Sequence, residues 1–518
     1  MMAISGSSIW AAVGKVPRGV GRLFSRRRAI VAAIILLLAL TAGLSFYLGY
    51  LSSLPTPFVD EMEDTSSIHR LLVVAPHCDD ETISSGGLIR EVLARGGQVR
   101  VVLVTNGDGS FTGTMVEFHK LYPSTRDYLR AGYARQQESL NAMQSLGVPP
   151  EDVIFLGYPD RGILPLWEKF WDNSAPYHSP FTKLTQSPYE RTYNSQAVYS
   201  GHSLLSDLRS ILEDFQPDAV VAPHPNDTHP DHWATGAFTA LAVSMQEERT
   251  RPRLLLYLVH LGDYPLPRGY LPFAPLLPPL RLVNSTSTWG KVTLTDEFVE
   301  QKGNAVELYK SQLHLLGNFL RSFARQNELF CQLDHSPVPQ LVKDQSVTPV
   351  PSLWQTVDGN EVTPLMEDSA RDTIPQEVEP GGDFVALYAA RSDTELWISA
   401  EMRGKPSRLI AYSCLVRAAN GREVSRARVL YPPKIGSRPP TETKDRFVLA
   451  RFTWEELGYP HVVIVSFDAH SPGGETIDRI GWAIVNSYST GMKVDQPQQL
   501  SGFADFAKRL REGTVNGL

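Results

Sequence analysis

The sequence predicts an α/β protein: a Rossmann-like domain with a parallel sheet behind an N-terminal transmembrane helix, followed by a β-sandwich-like domain. An uncharged apolar run, Ala29–Tyr50, comes early in the chain. Apolar strand patterns then alternate with helical patterns as far as residue 333, and short strand patterns with Gly, Pro and Asp turns replace them beyond residue 380. At 518 residues the chain is too long for one compact domain.

The early apolar run contains 22 residues without a charge. This length is enough for a helix to cross a hydrocarbon core of about 30 Å. Six basic residues and no acidic ones lie in residues 1–28, which the positive-inside rule places in the cytoplasm, with everything after Tyr50 outside. A cleaved signal peptide is the alternative. The length of the run and the lack of a convincing A-x-A-like cleavage site favour a single-pass anchor in the cell membrane.

Continuous apolar strands that alternate with helices are typical of a parallel sheet covered on both faces. We expect Asp160–Gln196, rich in Trp, Tyr and Pro, to form a loop or lid, and Thr295–Phe330 to be helical and to end this domain. The predicted strands are Arg70–Ala75, Val99–Thr105, Asp152–Gly157, Ala219–Ala222 and Arg253–Val259. The predicted helices between them are Gly86–Arg95, Tyr128–Leu146, Leu204–Phe215 and His232–Gln246.

The later part of the chain reads as a separate β-rich domain. Its predicted strands are Phe384–Tyr388, Glu395–Met402, Phe447–Phe452, Val462–Phe467 and Ile480–Val485. The complete predicted division is a basic segment (1–28), an anchor (29–50), a linker (51–67), the α/β domain (68–333), a second linker (334–380), the β-rich domain (381–490) and a tail (491–518).

Charge and cysteine content exclude two classes of protein. The net charge is −7 although residues 1–59 hold six cations and no acid, so the rest of the chain is strongly acidic. Such a surface is unsuited to nucleic acid, whose binding needs clustered Lys and Arg. Three cysteines are too few for a disulfide framework or a cysteine-based zinc cluster.

Two polar segments carry the chemistry. Residues 75–81 (APHCDDE) follow the first predicted strand, and residues 224–232 (HPNDTHPDH) follow the strand that ends at Ala222. The carboxyl ends of strands in a doubly wound sheet form the ligand crevice, so we expect both segments to face it. Either segment alone is explained as a turn whose Asx residue caps a helix. Together they favour a metal site, because two His and one carboxylate are a common catalytic zinc set.

These segments resemble the PIG-L/LmbE-like N-acetylglucosaminyl deacetylases, whose marks are an [AP]HPDDE segment and a downstream HPDH. Here they read PHCDDE and HPDH, with Cys78 where the family usually has Pro. The resemblance covers roughly residues 68–330. Further similarity lies in Gly86-Gly87, Thr105–Asp108, Arg135 with Glu138, and Leu156–Asp160.

The resemblance implies a role for each matching residue. His77, Asp80 and His232 would bind Zn²⁺, with another divalent metal such as Fe²⁺ as the alternative. Asp79 would be the general base on the attacking water. The remaining implied residues are His229, which would stabilise the oxyanion or protonate the leaving amine; Asp231, which would tune it; and Arg135 and Asp160, which would bind sugar hydroxyls.

The implied activity is zinc-dependent hydrolysis of the N-acetyl group of an amino-sugar glycan or glycoconjugate at the outer side of the membrane. One alternative is a non-catalytic glycan-binding surface protein with a structural metal site, and another is a hydrolase of a different amide or ester. Asp79 and His229 favour an enzyme, since a structural site needs neither a base nor an acid. The aromatic residues of the β-rich domain either stack on sugar rings or fill its core: Trp397, Tyr412, Trp454, Tyr459 and Trp482.

Overall fold

The computed structural model describes residues 30–43, 59–262, 264–283, 286–333, 338–368, 379–421, 423–431 and 443–486. The chain divides into two compact units, Met1–Phe58 and Val59–Leu518. The predicted basic segment (1–28) and tail (491–518) lie outside the described residues.

In the first unit, residues 30–43 form a helix, α1, whose side chains are exposed. This helix lies within the predicted anchor, of which residues 29 and 44–50 are outside the described residues. In the part of the chain that the structure describes, no helix combines the length and the apolar character needed to cross a membrane.

The second unit begins with an eight-stranded sheet of order β1-β7-β8-β6-β5-β2-β3-β4. The five strands from β6 to β4 are parallel, whereas β8 runs antiparallel to β6 and β7. The strands are β1 (Asp60–Glu61), β2 (Arg70–Ala75), β3 (Gln98–Thr105), β4 (Val153–Tyr158), β5 (Ala219–Pro223), β6 (Arg253–Tyr257), β7 (Ser287–Thr293) and β8 (Asn327–Leu333). The helices are α2 (Asp80–Ala94), α3 (Phe111–Glu117), α4 (Thr125–Ser145), α5 (Ile163–Glu168), α6 (Gly201–Phe215), α7 (Pro230–Ser244), α8 (Asp296–Val306) and α9 (Lys310–Arg321).

The predicted parallel α/β architecture is confirmed, and its topology positions the two polar segments. β2 and β5 are hydrogen-bonded neighbours, with Val73 opposite Val221. The chain order reverses between them, because β3 and β4 extend the sheet on one side and β6 on the other. Residues 75–81 and 224–232 leave these two strands, so both lie at the topological switch point, where such sheets bind ligands.

The prediction for Thr295–Phe330 was wrong at its carboxyl end. Two helices are present, but Asn327–Leu333 is a strand, β8, that pairs with β7 and touches β6. Its Leu329-Phe330-Cys331 run is buried in the main core. A short apolar run does not distinguish a strand from a buried helix by periodicity, and here the neighbouring strands decide.

The β-rich region consists of two antiparallel sheets, of order β14-β15-β11-β10-β9 and β13-β12-β16-β17, with β18 also paired to β16. Both sheets contribute to one buried core, which includes Leu387, Ile398, Val416 and Val465. The strands are β9 (Met366–Glu367), β10 (Phe384–Arg391), β11 (Glu395–Met402), β12 (Ala411–Asn420), β13 (Glu423–Tyr431), β14 (Thr443–Lys444), β15 (Phe447–Thr453), β16 (Val462–His470), β17 (Thr476–Arg479) and β18 (Ala483–Asn486), and one helical turn, α10 (Trp454–Leu457), is present. We call this region the sandwich.

The aromatic residues considered for sugar stacking mostly fill cores. Trp397, Tyr412, Trp454 and Trp482 are buried, whereas Tyr459 is half exposed. The predicted strands omitted the longest hairpin of the sandwich, β12–β13. Its alternation includes Arg417, buried on the face that contacts α5, where it donates to the Trp167 carbonyl. A charged residue at an inward position hid the strand pattern.

The sandwich packs directly on the α/β layers. The β12–β16 sheet is covered on both faces: one face joins the sandwich core, and the other contributes Leu415 and Ile464 to the main core, together with Trp482 from the connection between β17 and β18. Arg479 of β17 forms ion pairs with Asp468 and with Glu168 of α5. The domain boundaries proposed from the sequence stay predictions, but Val59–Leu518 behaves as one compact unit.

We expect a chain that ends at Leu333 to be insoluble or strongly destabilised. Removal of the sandwich exposes the side of α7 that Trp482 covers, and burial of a large side chain contributes about 1.5–3 kcal/mol. Thermal unfolding and size-exclusion chromatography of residues 59–333 and 59–518 check this. A monomeric, cooperatively melting shorter chain would contradict it.

Candidate metal and catalytic site

Three predicted ligands meet at one corner of the crevice. The Asp80 Oδ2 atom lies 3.1 Å from His77 Nδ1 and 3.1 Å from His232 Nε2. All three side chains are buried. Asp80 opens α2 and accepts a hydrogen bond from the His77 backbone N–H, at 3.0 Å, whereas His232 lies in the first turn of α7. The end of β2 and the start of α7 thus bring two imidazoles to one carboxylate.

These residues fit a divalent metal. His232 Nδ1 lies 3.1 Å from Asp227 Oδ2, which orients the ring, while the buried Nε2 has no hydrogen-bond partner among the described residues despite its approach to Asp80. A ring nitrogen and a carboxylate oxygen that face each other without a hydrogen bond are arranged as ligands of a shared cation. The other ring nitrogen of a metal-binding histidine is usually held by a carboxylate, as Asp227 holds His232 here. Overlapping sets of potential ligand atoms within 4.8 Å of one another are His77, His229 and His232; Asp80, His232 and His260; and His77, Asp160 and Asp231.

We expect metal affinity to rise with pH. Burial disfavours the charged form of His232, but Asp227 and Asp80 outweigh it and raise the pKa of this imidazole to about 9. Below pH 9 a proton therefore competes with the metal for His232. For each such proton, the apparent metal affinity falls about tenfold for every pH unit by which the pH is lowered. Chelator competition between pH 6 and 8 measures this, and an affinity independent of pH would contradict it.

Asp79 occupies a strained position beside this corner. Its backbone φ of 150° lies in the region that side chains rarely adopt, and such strain persists only where neighbours hold it. Glu81 Oε2 accepts a hydrogen bond from the Asp79 N–H at 2.9 Å, and Arg135 Nη2 lies 3.6 Å from Asp79 Oδ2. Burial raises the pKa of the Asp79 carboxyl to about 7, although Arg135 opposes the shift. A carboxylate with this pKa accepts and returns a proton near neutral pH.

Glu81 is the anchor of the Asp79 backbone. It is fully buried, and its Oε1 atom accepts hydrogen bonds from Ser139 Oγ at 2.5 Å and from Tyr309 Oη at 2.7 Å. Ser139 lies in α4 and Tyr309 directly precedes α9, so the strained residue is fixed through contacts from distant parts of the chain. The sequence did not single out Tyr309.

The two residues predicted to bind sugar hydroxyls are buried and bound to the protein itself. Arg135 donates to the carbonyls of Gly107, at 3.2 Å, and Cys78, at 3.1 Å, and thereby joins the loops after β3 and β2. Asp160 accepts from the Gly109 N–H at 2.8 Å and lies 3.5 Å from His77 Nε2. The structure places both at the site, and their role with a sugar stays a prediction.

His229 is set up as a neutral hydrogen-bond donor. Its Nδ1 accepts from the Asp231 backbone N–H at 3.3 Å, so the neutral ring carries its proton on Nε2. Burial lowers the pKa of His229 well below its usual value, and repulsion from His77 and His232 lowers it further. The ring centroids of His229 and His77 are 4.8 Å apart, which places the imidazole beside the metal corner.

The Asp231 carboxylate contacts His77 and two backbone N–H groups, and its role in tuning His229 stays a prediction. Its Oδ2 lies 3.4 Å from His77 Nε2 and accepts from the Arg161 N–H at 2.6 Å, while Oδ1 accepts from the Ile163 N–H at 3.1 Å. The Asp231 backbone N–H, rather than its carboxylate, is hydrogen-bonded to His229 Nδ1. The carboxylate orients His77. Its hydrogen bonds with the backbone N–H groups of Arg161 and Ile163 also hold the start of the Asp160–Gln196 segment beside the site.

Besides Tyr309, sequence reasoning gave no role to two further residues of the site, Asp227 and His260. Asp227 accepts from the backbone N–H groups of His229, Val259 and His260, besides its contact with His232. His260 packs its ring 4.7 Å from that of His232. Its position three residues after β6, at the same carboxyl edge as the two polar segments, is a signal that could have found it.

The family comparison agrees with this geometry. The model of the family described as "PIG-L: GlcNAc-PI de-N-acetylase" matches residues 72–243. The chain contains a PIG-L domain. That stretch holds β2 to α7 and every residue proposed from the sequence for the site.

Curated relatives that the chain matches are 1D-myo-inositol 2-acetamido-2-deoxy-alpha-D-glucopyranoside deacetylases. The protein of Mycobacterium sp. (strain KMS) is 32% identical over 196 residues, which is 37% of this chain and 56% of the relative. That of Nocardia farcinica is 33% identical over 182 residues, or 35% of this chain and 53% of the relative. The chain therefore matches about half the length of these relatives.

Solved structures similar to the chain include N,N'-diacetylchitobiose deacetylase from Pyrococcus horikoshii, at 20% identity and a TM-score of 0.33, covering 53% of this chain and 87% of that one. A deacetylase of the teicoplanin biosynthesis pathway, in complex with teicoplanin, is 21% identical with a TM-score of 0.32. The match covers 52% of this chain and 100% of that one.

Proposed function

We propose that the PIG-L domain hydrolyses the N-acetyl amide of an amino-sugar substrate. The observation that carries this is the pair formed by Asp79, a buried carboxylate poised near neutral pH, and His229, a neutral donor, beside the candidate metal ligands. A purely structural metal site needs neither group. The names of the relatives, deacetylases of an N-acetylated glucosaminide, support the same reaction.

Bound Zn²⁺ would polarise the amide carbonyl and increase the acidity of a water molecule. His77, Asp80 and His232 hold it in the proposal, and Asp231 and Asp227 orient the two imidazoles. Three protein ligands are the usual number in catalytic zinc sites.

Asp79 removes the proton from the attacking water. Its pKa of about 7 lets it hold that proton and pass it to the leaving amine nitrogen as the C–N bond breaks. His229 donates its Nε2–H to the carbonyl oxygen, whose negative charge grows as water adds. A fixed donor aimed at developing charge is worth several kcal/mol in such sites.

Acetate release tests the proposal. Residues 59–518 loaded with Zn²⁺ are incubated with 2-acetamido-2-deoxyglucosides, starting with the myo-inositol glucoside named for the relatives, and then with N-acetylated cell-envelope glycans. We expect acetate from at least one substrate, abolished by chelation and restored by metal. Tight glycan binding without acetate release would instead support the non-catalytic alternative.

We further propose that the domain acts outside the cytoplasmic membrane. The six cations before Ala29 and the uncharged run that follows support this orientation. A reporter enzyme fused after Leu518 in the full chain should be active only when it requires the extracytoplasmic side. A reporter active in the cytoplasm would overturn the proposed topology and localisation, without affecting the chemistry.

A further inference from the structure

The sandwich contacts the segment that supplies the metal-binding histidine. Residues 224–229 connect β5 to α7 without regular structure, so their conformation depends on what packs against them. Two parts of the sandwich do so: β9, and the Ile480–Trp482 connection between β17 and β18.

Asn226 is the contact on the β9 side. It is buried, and its Nδ2 donates to the Glu367 carbonyl at 3.0 Å and lies 3.4 Å from Asp368 Oδ1. Its neighbour Asp227 accepts from the His229 N–H and contacts His232 Nδ1. Because Asn226 and Asp227 are adjacent in the chain, a shift of Asn226 also moves Asp227, whose carboxylate orients His232.

Gly481 leaves the space in which Asn226 sits. A Cβ atom at position 481 would lie 2.2 Å from Asn226 Oδ1 and 3.1 Å from Pro225 Cβ. The first distance is shorter than real Cβ contacts, so a side chain at position 481 requires the Asn226 amide group to move. The glycine is required by this close approach rather than by a positive φ.

Trp482 is the contact on α7. Its side chain is fully buried, and Nε1 donates to the Trp233 carbonyl at 3.1 Å. Trp233 directly follows His232, and the Arg479 guanidinium lies 5.0 Å from the centroid of its ring. The indole also lies against Gly236, where a Cβ would come within 3.1 Å of Trp482 Cζ2. The sandwich thus fixes the first turns of α7.

We infer that the sandwich is a built-in support of the metal site, and that Asn226, Gly481 and Trp482 are positioning residues for His232. This inference rests on the proposed function only in that a metal is bound by His232. Removal of a direct hydrogen-bond partner of a metal ligand, such as Asp227 here, typically changes metal affinity by about 10- to 100-fold, and we expect contacts that act through Asp227 or Trp233 to lie at the lower end.

The first test compares two tryptophan variants. Trp482→Phe removes the N–H that holds the Trp233 carbonyl. Trp454→Phe is its matched control, because Trp454 Nε1 donates to the Ser392 carbonyl at 2.9 Å elsewhere in the sandwich. Zn²⁺ affinity is measured by chelator competition on residues 59–518, alongside melting temperature. We expect about tenfold weaker binding in Trp482→Phe and unchanged binding in Trp454→Phe. Equal metal affinities in the two variants would overturn the inference.

The second test is a double-mutant cycle. Gly481→Ala alone should weaken Zn²⁺ binding, because its Cβ displaces Asn226. In the Asn226→Ala background the clashing Oδ1 is absent, so Gly481→Ala should have little further effect. Additive effects would contradict coupling through this contact.

Metal affinity separates this inference from the proposed function. If no acetate is released but the variants show the expected changes in Zn²⁺ affinity, the positioning role is supported and the proposed reaction is contradicted. Where acetate release is found, we expect Trp482→Phe at saturating Zn²⁺ to lower kcat, with KM for a small substrate within about twofold of the parent. A parallel rise of KM would indicate a role in substrate binding instead.

Discussion

Asp79→Asn should retain Zn²⁺ and lose turnover by roughly 10²-fold or more, the scale of general-base catalysis. The amide keeps the volume of the carboxylate and its place beside Arg135, but it does not accept a proton from water. The candidate ligand atoms belong to other side chains, since Asp80 Oδ2 is the oxygen that meets both His77 and His232. Elemental analysis measures the retained Zn²⁺, and steady-state acetate release measures the loss of turnover.

Asp80→Asn is the comparison for this variant, since it makes the same chemical change one residue later in the chain. We expect it to bind metal weakly, because an amide is a poorer ligand than a carboxylate. If Asp79→Asn lost its zinc while Asp80→Asn kept it, the two aspartates would exchange roles. Near-normal turnover in Asp79→Asn would exclude it as the base.

His232→Ala should lose metal and activity together. The imidazole is fully buried between Asp80 and Asp227, so its removal takes away one candidate ligand and leaves these two carboxylates on opposite sides of a cavity. Both carboxylates then stay buried without the imidazole as a neighbour, and burial disfavours the ionised form of a carboxyl group. We expect substoichiometric zinc after dialysis and acetate release near background, with both measured on the same preparation.

His229→Ala provides the matched control from the same segment. His229 is held by its Nδ1 contact with the Asp231 N–H and is proposed as an oxyanion donor, so its loss should reduce kcat by about 10²–10³-fold with zinc retained. Equal zinc loss in both variants would assign His229 to the metal instead. Full zinc occupancy in His232→Ala would remove His232 from the ligand set.

The sequence supports a large part of the fold because the parallel strands are locally encoded. β2, β3 and β5 are predominantly apolar runs, and each is followed by helical periodicity, so their pattern predicts both the strand and its burial on two faces. β8 and the β12–β13 hairpin were not found in this way. β8 becomes a strand because β7 lies beside it, and β12 carries a buried arginine that α5 accommodates.

At the site, the sequence alone determined which residue types lie at the carboxyl ends of β2 and β5, because each polar segment directly follows an apolar strand pattern in the chain. Only the tertiary structure made β2 and β5 neighbours and decided which contacts hold these side chains in place. Asp227 and Tyr309 act on His232 and Asp79 through contacts that their neighbours in sequence do not reveal. Asp231 turns its carboxylate to His77, and the sandwich reaches the 224–232 segment through Asn226 and Trp482. Such contacts join residues up to 249 positions apart, and no local periodicity specifies which surfaces a folded chain brings together.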